Sequence, residues 1–392
     1  MSGQVYATRL VHSSKDLDAA SWDALLQQQS APTPFMRHAY LDALERTHCA
    51  APRSGWTPLY LTLHDKQGLA AATPLYLKAH SYGEYVFDWA WADAYRRHDL
   101  AYYPKLLGAV PFTPVPGSRL LARDAKARRA LAQAVLALAQ DQKLSSAHVL
   151  FIDEADRAAL TDAGWMLRHG VQFHWTDSAP QPVTRFEELL ASLQRHKRKN
   201  IQQERRRVAD AGVGFEVREG AEIDAGLWDF FHHCYTLTYE AHGSTPYLNR
   251  AFFREMAERM PEHWVMFVAH RDAQRIAASL LAIDRPRRAA YGRYWGSTAF
   301  VPHLHFEACY YQPLQWCISQ GFERFEGGAQ GEHKMARGLL PVPTYSAHWI
   351  RDPRFAGAVE DFLSREGAGV GQYIDELREH SPFRPAAPQA LE

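Results

Sequence analysis

Glu332, His333 and Lys334 stand side by side in the stretch FEGGAQGEHKMARG, Phe325 to Gly338, with Glu326 one short loop before them and Arg337 just after. A carboxylate, an imidazole and an ammonium group in consecutive positions beyond a glycine-rich turn could move a proton and steady an oxyanion. Upstream, YGRYWGSTAFVPHLHFEACYY contributes Arg293, Trp295, His305, Glu307 and Tyr310. His303, Glu307 and Tyr311, spaced i, i+4 and i+8, share one helix face. These residues describe a cleft at strand ends. In it Glu307, Glu326, Glu332 or His333 deprotonates an amine, and Arg293, Lys334 or Arg337 holds an anion. Trp295, His305, Tyr310 and Gln330 would contact the substrate. Structural ion pairs explain Glu326, Lys334 and Arg337 equally well.

Other chemistries find less support. A metal would need more than the His303 and Glu307 pair, and neither an H-E-x-x-H pattern nor a cysteine ligand accompanies it, so no metal is expected. No G-x-S-x-G elbow, P-loop or dinucleotide fingerprint occurs. In SYGEYVFDWAWADAYRRHDLAYYPK, Ser81 to Lys105, eight aromatic residues interleave with Glu84, Asp88, Asp93 and Asp99. Asp88, Trp91 and Tyr103 are its candidate ligand contacts, although composition favours a core with Tyr and Trp tips. His242 lies between Tyr239 and Tyr247 in a turn, either touching substrate or capping a helix. Arg195, Lys197, Arg198, Lys199, Arg205, Arg206 and Arg207 crowd one stretch that reads as a single helix from Arg185 to Ala211. Spread around the cylinder, these charges suit the phosphates of RNA, a polyphosphate or a lipid headgroup, or plain solvation. No aromatic residues interleave with them for base stacking.

The elements that must position these groups come in a repeated order. TPLYLTLHD and GLAAATPLYLKAH flank Lys66-Gln67-Gly68 as a hairpin; a helix from Arg123 to Gln142, the strand AHVLF, a capped helix DEADRAALTDAG and the strand WMLRHGVQFHW follow. The second half has a meander, HWVMFVAH, RIAASLLAID and AAYGRYWG, then a helix from His303 to Gln320 bent at Pro313, then the strand FERFEGG. Such a repeat predicts an α/β (α+β) protein of two similar domains, 1–180 and 181–392, joined near TDSAPQPVTR, with the basic helical segment at 185–211.

Length agrees with two domains, since 392 residues exceed what one core usually organises. Acidic and basic residues balance at 44 each, so any nucleic-acid or membrane contact must be local. The four cysteines form no C-x-x-C pair, and no signal-peptide core or membrane-length apolar run appears. A cytoplasmic protein without transmembrane segments is expected, with peripheral membrane contact left open.

The stretches YWGSTAFVPHLHFEACYYQPLQW, FEGGAQGEHKMARGLLPVPTYSAHWI and FDWAWADAYRRHDLAYYPKLLGAVPFTPVPGSRLL resemble the bacterial FemAB-like family of peptidoglycan biosynthesis or recognition proteins, within the GNAT acyltransferase superfamily. The resemblance covers nearly the whole chain. It implies two tandem GNAT-like domains, each a twisted, mostly antiparallel sheet flanked by helices. It also implies transfer of an aminoacyl group from tRNA onto an amine of a cell-wall precursor, with the basic helix as a helical arm for the tRNA. GNAT enzymes that use acetyl-CoA usually carry an R/Q-x-x-G-x-G/A loop for the pyrophosphate, whereas GSTAFVPHLHF here has Pro and bulky residues in the corresponding place. No tightly bound cofactor is expected; aminoacyl-tRNA or an acyl-CoA would be a co-substrate, and DNA is no partner. A noncatalytic protein recognising a peptidoglycan fragment, and an acetyl-CoA-dependent N-acetyltransferase, are the alternatives.

Overall fold

A computed structural model of the chain describes residues 6–177, 182–328 and 331–384. The chain divides into two compact units. Unit 1 comprises Met1–Gly170, Tyr247–Arg259 and Pro343–Gly371; unit 2 comprises Val171–Pro246, Met260–Val342 and Gln372–Glu392. The contiguous spans expected from the sequence therefore exchange pieces, 247–259 and 343–371 joining the first unit.

In chain order the strands are β1 (Ala7–Val11), β2 (Trp56–Asp65), β3 (Gly68–Lys78), β4 (Lys105–Gly108), β5 (Leu121–Ala122), β6 (Ser146–Ile152), β7 (Met166–Thr176), β8 (Val213–Glu219), β9 (Trp264–Arg271), β10 (Gln274–Asp284), β11 (Ala289–Ser297), β12 (Arg324–Glu326) and β13 (Leu340–Ile350). The helices are α1 (Ala19–Gln27), α2 (His38–Arg46), α3 (Trp89–Arg97), α4 (Ala125–Asp141), α5 (Glu154–Asp162), α6 (Phe186–Ser192), α7 (Arg195–Asp210), α8 (Ala225–Ala241), α9 (Arg250–Arg259), α10 (Leu304–Phe306), α11 (Gln312–Ser319) and α12 (Pro353–Glu379).

Unit 1 orders its strands β1-β2-β3-β4-β6-β13, with β5 on β3. Every neighbouring pair is antiparallel except β4 with β6, and a parallel pair needs a long crossover, here containing α4. Asp124 caps α4 by accepting from Ala127 N at 2.8 Å, and Ala127, Leu131, Val135 and Ala139 then recur on one face and bury against Leu61, Leu75 and Val149. Unit 2 repeats the scheme, β7-β12-β11-β10-β9-β8, where β11 with β12 is the parallel pair and α10 and α11 lie in the crossover. β10 is buried from Ile276 to Ile283 on both faces, as a central strand must be. The duplicated order expected from the sequence is present.

Two helices differ from expectation. The basic stretch forms two helices, α6 and α7, because Leu193 turns extended (φ −76°, ψ 155°) and is fully buried, bridging to Phe383 while Gln194 N donates to Pro382 O at 2.8 Å. α7 is no projecting arm either: Ile201 and Val208, two turns apart, bury into the apolar clusters of unit 2. The helix expected from His303 to Gln320 runs without a break from Leu304 to Ser319: Glu307–Tyr311 form a π-helical turn between α10 and α11, Pro313 follows directly after it, and the Ala308 carbonyl accepts from Ser279 Oγ at 2.5 Å.

Candidate active site

β11 and β12 pair in parallel at only three positions, Ala289 with Arg324, Ala290 with Phe325 and Tyr291 with Glu326. β12 ends there, while β11 runs on to Ser297, so the strands part and leave space between them. The result is a cavity of about 140 Å³ in unit 2, walled by Ser279 to Leu281 of β10, Gly292 to Trp295 of β11, Phe325 and Gly327, and His305, Cys309 and Tyr310. A β-bulge shapes its wall. Leu280 faces Tyr294 and Leu281 faces Gly292, so Arg293 is the extra residue, and bulges of this kind re-aim a side chain. The guanidinium lies 4.7 Å from the Tyr294 ring centre and donates to its hydroxyl at 3.1 Å. Gly296 lets β11 run against α8, since a Cβ there would sit 1.9 Å from Cys234 O.

Of the residues expected at the cleft, Arg293, Trp295, His305 and Tyr310 line the cavity. His305 sits edge-on to Trp295 (5.1 Å between ring centres) and Tyr310 (5.7 Å). Burial pushes its pKa down to about 4, and His333, Arg337 and Lys334 push the same way, so the ring is neutral near pH 7. His333 is exposed at 3.4 Å from the Tyr310 hydroxyl and beside the Phe306 ring. Lys334 is buried, donates from Nζ to Gly328 O at 3.1 Å, and is lowered by burial to about 8. Burial also raises the Cys309 thiol, with Lys334 opposing.

The carboxylates are committed elsewhere. His303, Glu307 and Tyr311 do share a face, but that face meets α7. Glu307 accepts from Arg205 Nη2 at 3.0 Å, Arg205 Nε at 3.1 Å and Gln312 Nε2 at 2.8 Å; Tyr311 donates to Glu204, and Arg207 contacts His303 at 3.1 Å. Glu307 therefore lines a separate groove with Arg205, Arg206, Val208, Val213 and Phe215, a correction to its expected place in the cleft. Glu326 pairs with Arg324 Nε at 3.1 Å, and Glu332 is exposed and accepts from Tyr373 at 2.7 Å. Arg337 donates to Glu204 at 2.9 Å and to His333 O at 2.6 Å, and its guanidinium covers Phe306 at 3.5 Å. Gln330 lies outside the described residues.

His242 is exposed, caps α8 and donates from Nδ1 to Thr238 O at 2.7 Å. On α7, Arg195, Lys199, Arg206 and Arg207 are exposed, Lys197 and Arg198 half-buried, and Arg205 ion-paired.

Asp88, Trp91 and Tyr103 belong to unit 1, in a buried polar cluster that the sequence reading missed. Lys105 Nζ, with no exposed surface, donates to Ser81 at 2.8 Å, to Glu84 at 2.8 Å and to Asp88; Lys78 lies 3.9 Å from Glu84. Against the upward push of burial, Lys105 holds the Asp88 carboxyl well below its ordinary range. Tyr102 donates to Asp88 at 2.6 Å, and Tyr103 meets Ser81 at 2.8 Å. Beside them His148 of β6 and His348 of β13, direct cross-strand partners, share an Nδ1 to Nδ1 hydrogen bond of 2.8 Å under the Trp91 ring. The available signal was a repeated S-A-H triplet: Ser146 contacts His148 at 2.9 Å as Ser346 contacts His348 at 3.0 Å.

Among the described residues no group of three or more His, Cys, Asp or Glu converges as a metal site requires, and no helix is long and apolar enough to cross a membrane. The family model for FemAB-like proteins, described as peptidoglycan biosynthesis/recognition, matches residues 13–385. A crystal structure of FemX is similar at 11% identity and a TM-score of 0.54, covering 90% of this chain and 100% of that one. The C-terminal domain of a putative lysylphosphatidylglycerol synthetase from Agrobacterium fabrum matches at 13% and 0.54, covering 90% and 97%. L-PGS from Bacillus licheniformis matches at 11% and 0.53, covering 89% and 96%. No curated protein matches in sequence. At such identities the likeness is one of fold.

Proposed function

The chain belongs to the FemAB-like family, and from that premise we propose that unit 2 transfers an acyl group, as an aminoacyl ester carried on tRNA, to an amine of a cell-wall precursor in the cytoplasm. The observation that carries this reading is the cavity opened where the parallel strands β11 and β12 part, with Arg293 and His305 in its wall. The same groups account for the chemistry without a cavity carboxylate. A positive surround disfavours the ammonium form of an acceptor, so the amine enters neutral and nucleophilic. Attack on the ester carbonyl builds negative charge on oxygen, which Lys334 and Arg293 stabilise as fixed cations. The neutral imidazole of His305 takes the proton released by the amine and passes it to the ribose oxygen of the tRNA, which leaves as a hydroxyl when the ester C–O bond breaks and the amide forms. The exposed cations of α7 supply phosphate contacts for the donor.

The test mixes purified protein with tRNA charged with a labelled amino acid and with cell-wall precursor peptides, and follows amide product by mass spectrometry, with acetyl-CoA as the competing donor. Product from charged tRNA supports the reading; product from acetyl-CoA alone overturns the donor. A second reading, recognition without turnover, draws on the pairing of Glu307 with Arg205 and of Glu326 with Arg324. It predicts binding of precursor peptide and no product from either donor.

A further inference from the structure

Glu204 is the one acid between Arg195 and Arg207. On its own helix Arg207 stands at i+3, within reach of a local pair. Glu204 turns elsewhere: its two oxygens accept from Arg337 Nη2 at 2.9 and 3.1 Å, and it also accepts from the Tyr311 hydroxyl, while Arg207 contacts His303. Among the described residues Arg337 is its one ion-pair partner. Arg337, with a side chain only 5% exposed, ties three elements together. Nη1 donates to His333 O at 2.6 Å within the turn Glu332–Arg337, Nη2 reaches α7 through Glu204, and the guanidinium lies 3.5 Å over the Phe306 ring centre of α10. The turn is a six-residue 3-10 segment between Gly331 and Gly338, both at positive φ. Such segments rarely exceed three or four residues because their hydrogen-bond geometry is poor, so side-chain contacts must hold this one. At three residues per turn, side chains three apart eclipse, and Lys334 therefore shares a face with Arg337.

We propose that Glu204 is a positioning residue for the transfer: by holding Arg337 it fixes the turn that carries Lys334. The inference rests on the reading of Lys334 as an oxyanion donor and adds a residue that touches no reacting atom. Removing the carboxylate charge leaves a buried guanidinium without its counter-ion, and the turn shifts as Arg337 seeks another acceptor. A misplacement of about 1 Å is enough to cost roughly 100-fold in rate. Glu204 also sits on the helix whose exposed cations contact the donor in that reading, so one ion pair fixes the oxyanion turn against the donor's phosphate contacts. An acid that merely stood on a phosphate-binding helix would act differently. It would repel the donor, and neutralising it would lower KM while leaving kcat alone.

Glu204→Gln keeps the shape and removes the charge, and Glu204→Asp keeps the charge on a shorter stem. Hydrogen exchange of the full chain, read by mass spectrometry, compares residues 331–340 with β9 and β10 as the reference for the fold of unit 2; steady-state transfer from charged tRNA gives kcat and KM. In Glu204→Gln the turn is expected to exchange about 10-fold faster with β9 and β10 unchanged, and kcat to fall about 10- to 100-fold at an unchanged KM for charged tRNA. Glu204→Asp should recover part of both, and adding Arg337→Met to Glu204→Gln should cost less than the two single effects combined. Where Glu204→Gln also speeds exchange in β9 and β10, the milder Glu204→Asp carries the test by the same two readouts. Wild-type exchange in the turn, a lower KM at unchanged kcat, or no recovery in Glu204→Asp overturns the assignment. Faster exchange confined to the turn, with no amide from the wild-type protein, leaves the clamp and removes the transfer reading. Amide product with kcat and exchange unchanged in Glu204→Gln does the reverse.

Discussion

Lys105→Met tests whether the buried cluster of unit 1 is held by charge balance. Lys105 has no exposed surface, and the carboxylates of its partners Glu84 and Asp88 are 2% and 4% exposed. Removing the ammonium leaves both acids buried, with Lys78 3.9 Å from Glu84. Breaking a buried pair by deleting one partner costs about 3 to 5 kcal/mol. For a domain of roughly 200 residues, at about 2 to 4 °C per kcal/mol, the unfolding midpoint should drop by about 6 to 20 °C. Adding Asp88→Asn removes one of the stranded charges, so the double variant should lose less than the sum of the single losses. The deficit should also depend on pH. Burial pushes Glu84 from 4.5 up to about 7, so between those values the folded state binds more protons than the unfolded chain, and stability falls as pH rises through that window. Without Lys105 the upward push is larger, and the deficit should shrink between pH 8 and pH 5.5. Thermal unfolding of the full chain, followed by tryptophan fluorescence and circular dichroism at both pH values, measures this. A midpoint within about 2 °C of wild type at pH 8, or a deficit that grows on acidification, would refute the argument.

Three further expectations follow from other parts of the molecule. Burial pushes His148 from 6.5 down to about 3, with Lys105 adding to the push and Asp88 opposing it. The unfolded chain then binds more protons between those values, so this stability is complete above pH 6.5 and lost as pH falls through the window. A His148→Gln, His348→Gln double variant should show a flatter urea midpoint between pH 7 and 4.5, and an unchanged slope counts against the pair. Gly296→Ala places its Cβ 1.9 Å from Cys234 O and 2.8 Å from the Thr238 hydroxyl, and should destabilise unit 2 by about 1 to 3 kcal/mol or more in denaturant titration; wild-type stability would contradict the close approach. Lys334→Met should lower amide formation by about 100-fold, as loss of one oxyanion donor typically does, with Lys334→Arg retaining part. Because Lys334 is lowered to about 8, the wild-type rate should decline as pH rises through that value, and a pH-independent rate would remove Lys334 from the reaction.

Periodicity within short windows was enough to find most elements. The alternation in HWVMFVAH, RIAASLLAID and AAYGRYWG predicts β9 to β11, and the Asp124 cap with its recurring Ala and Leu residues predicts α4, because side-chain direction repeats within a few residues in strand and helix. The repeated order of those elements implied two similar domains, and the stretches around Trp295 and Phe325 carried the resemblance to FemAB-like proteins. Arg293, Trp295, His305 and Tyr310, singled out near a strand end, line the unit 2 cavity.

Partner choice was the part that only tertiary structure decided. The spacing of His303, Glu307 and Tyr311 correctly put them on one face, yet nothing local says that this face meets Glu204, Arg205 and Arg207 instead of the cavity. The basic stretch has helical propensity throughout and still breaks at Leu193, because burial beside Phe383 outweighs local preference. Arg293 points where it does through a register shift opposite Leu280 and Leu281, which depends on the neighbouring strand. His148 and His348, 200 positions apart, become one hydrogen-bonded pair only when β6 and β13 align. A side chain's own sequence window sets its direction along an element, whereas its charge and hydrogen-bond partners depend on chain closure over long separations. The sequence therefore determined the elements and the family. The fold determined which ionisable groups are spent on one another and which line the cavity.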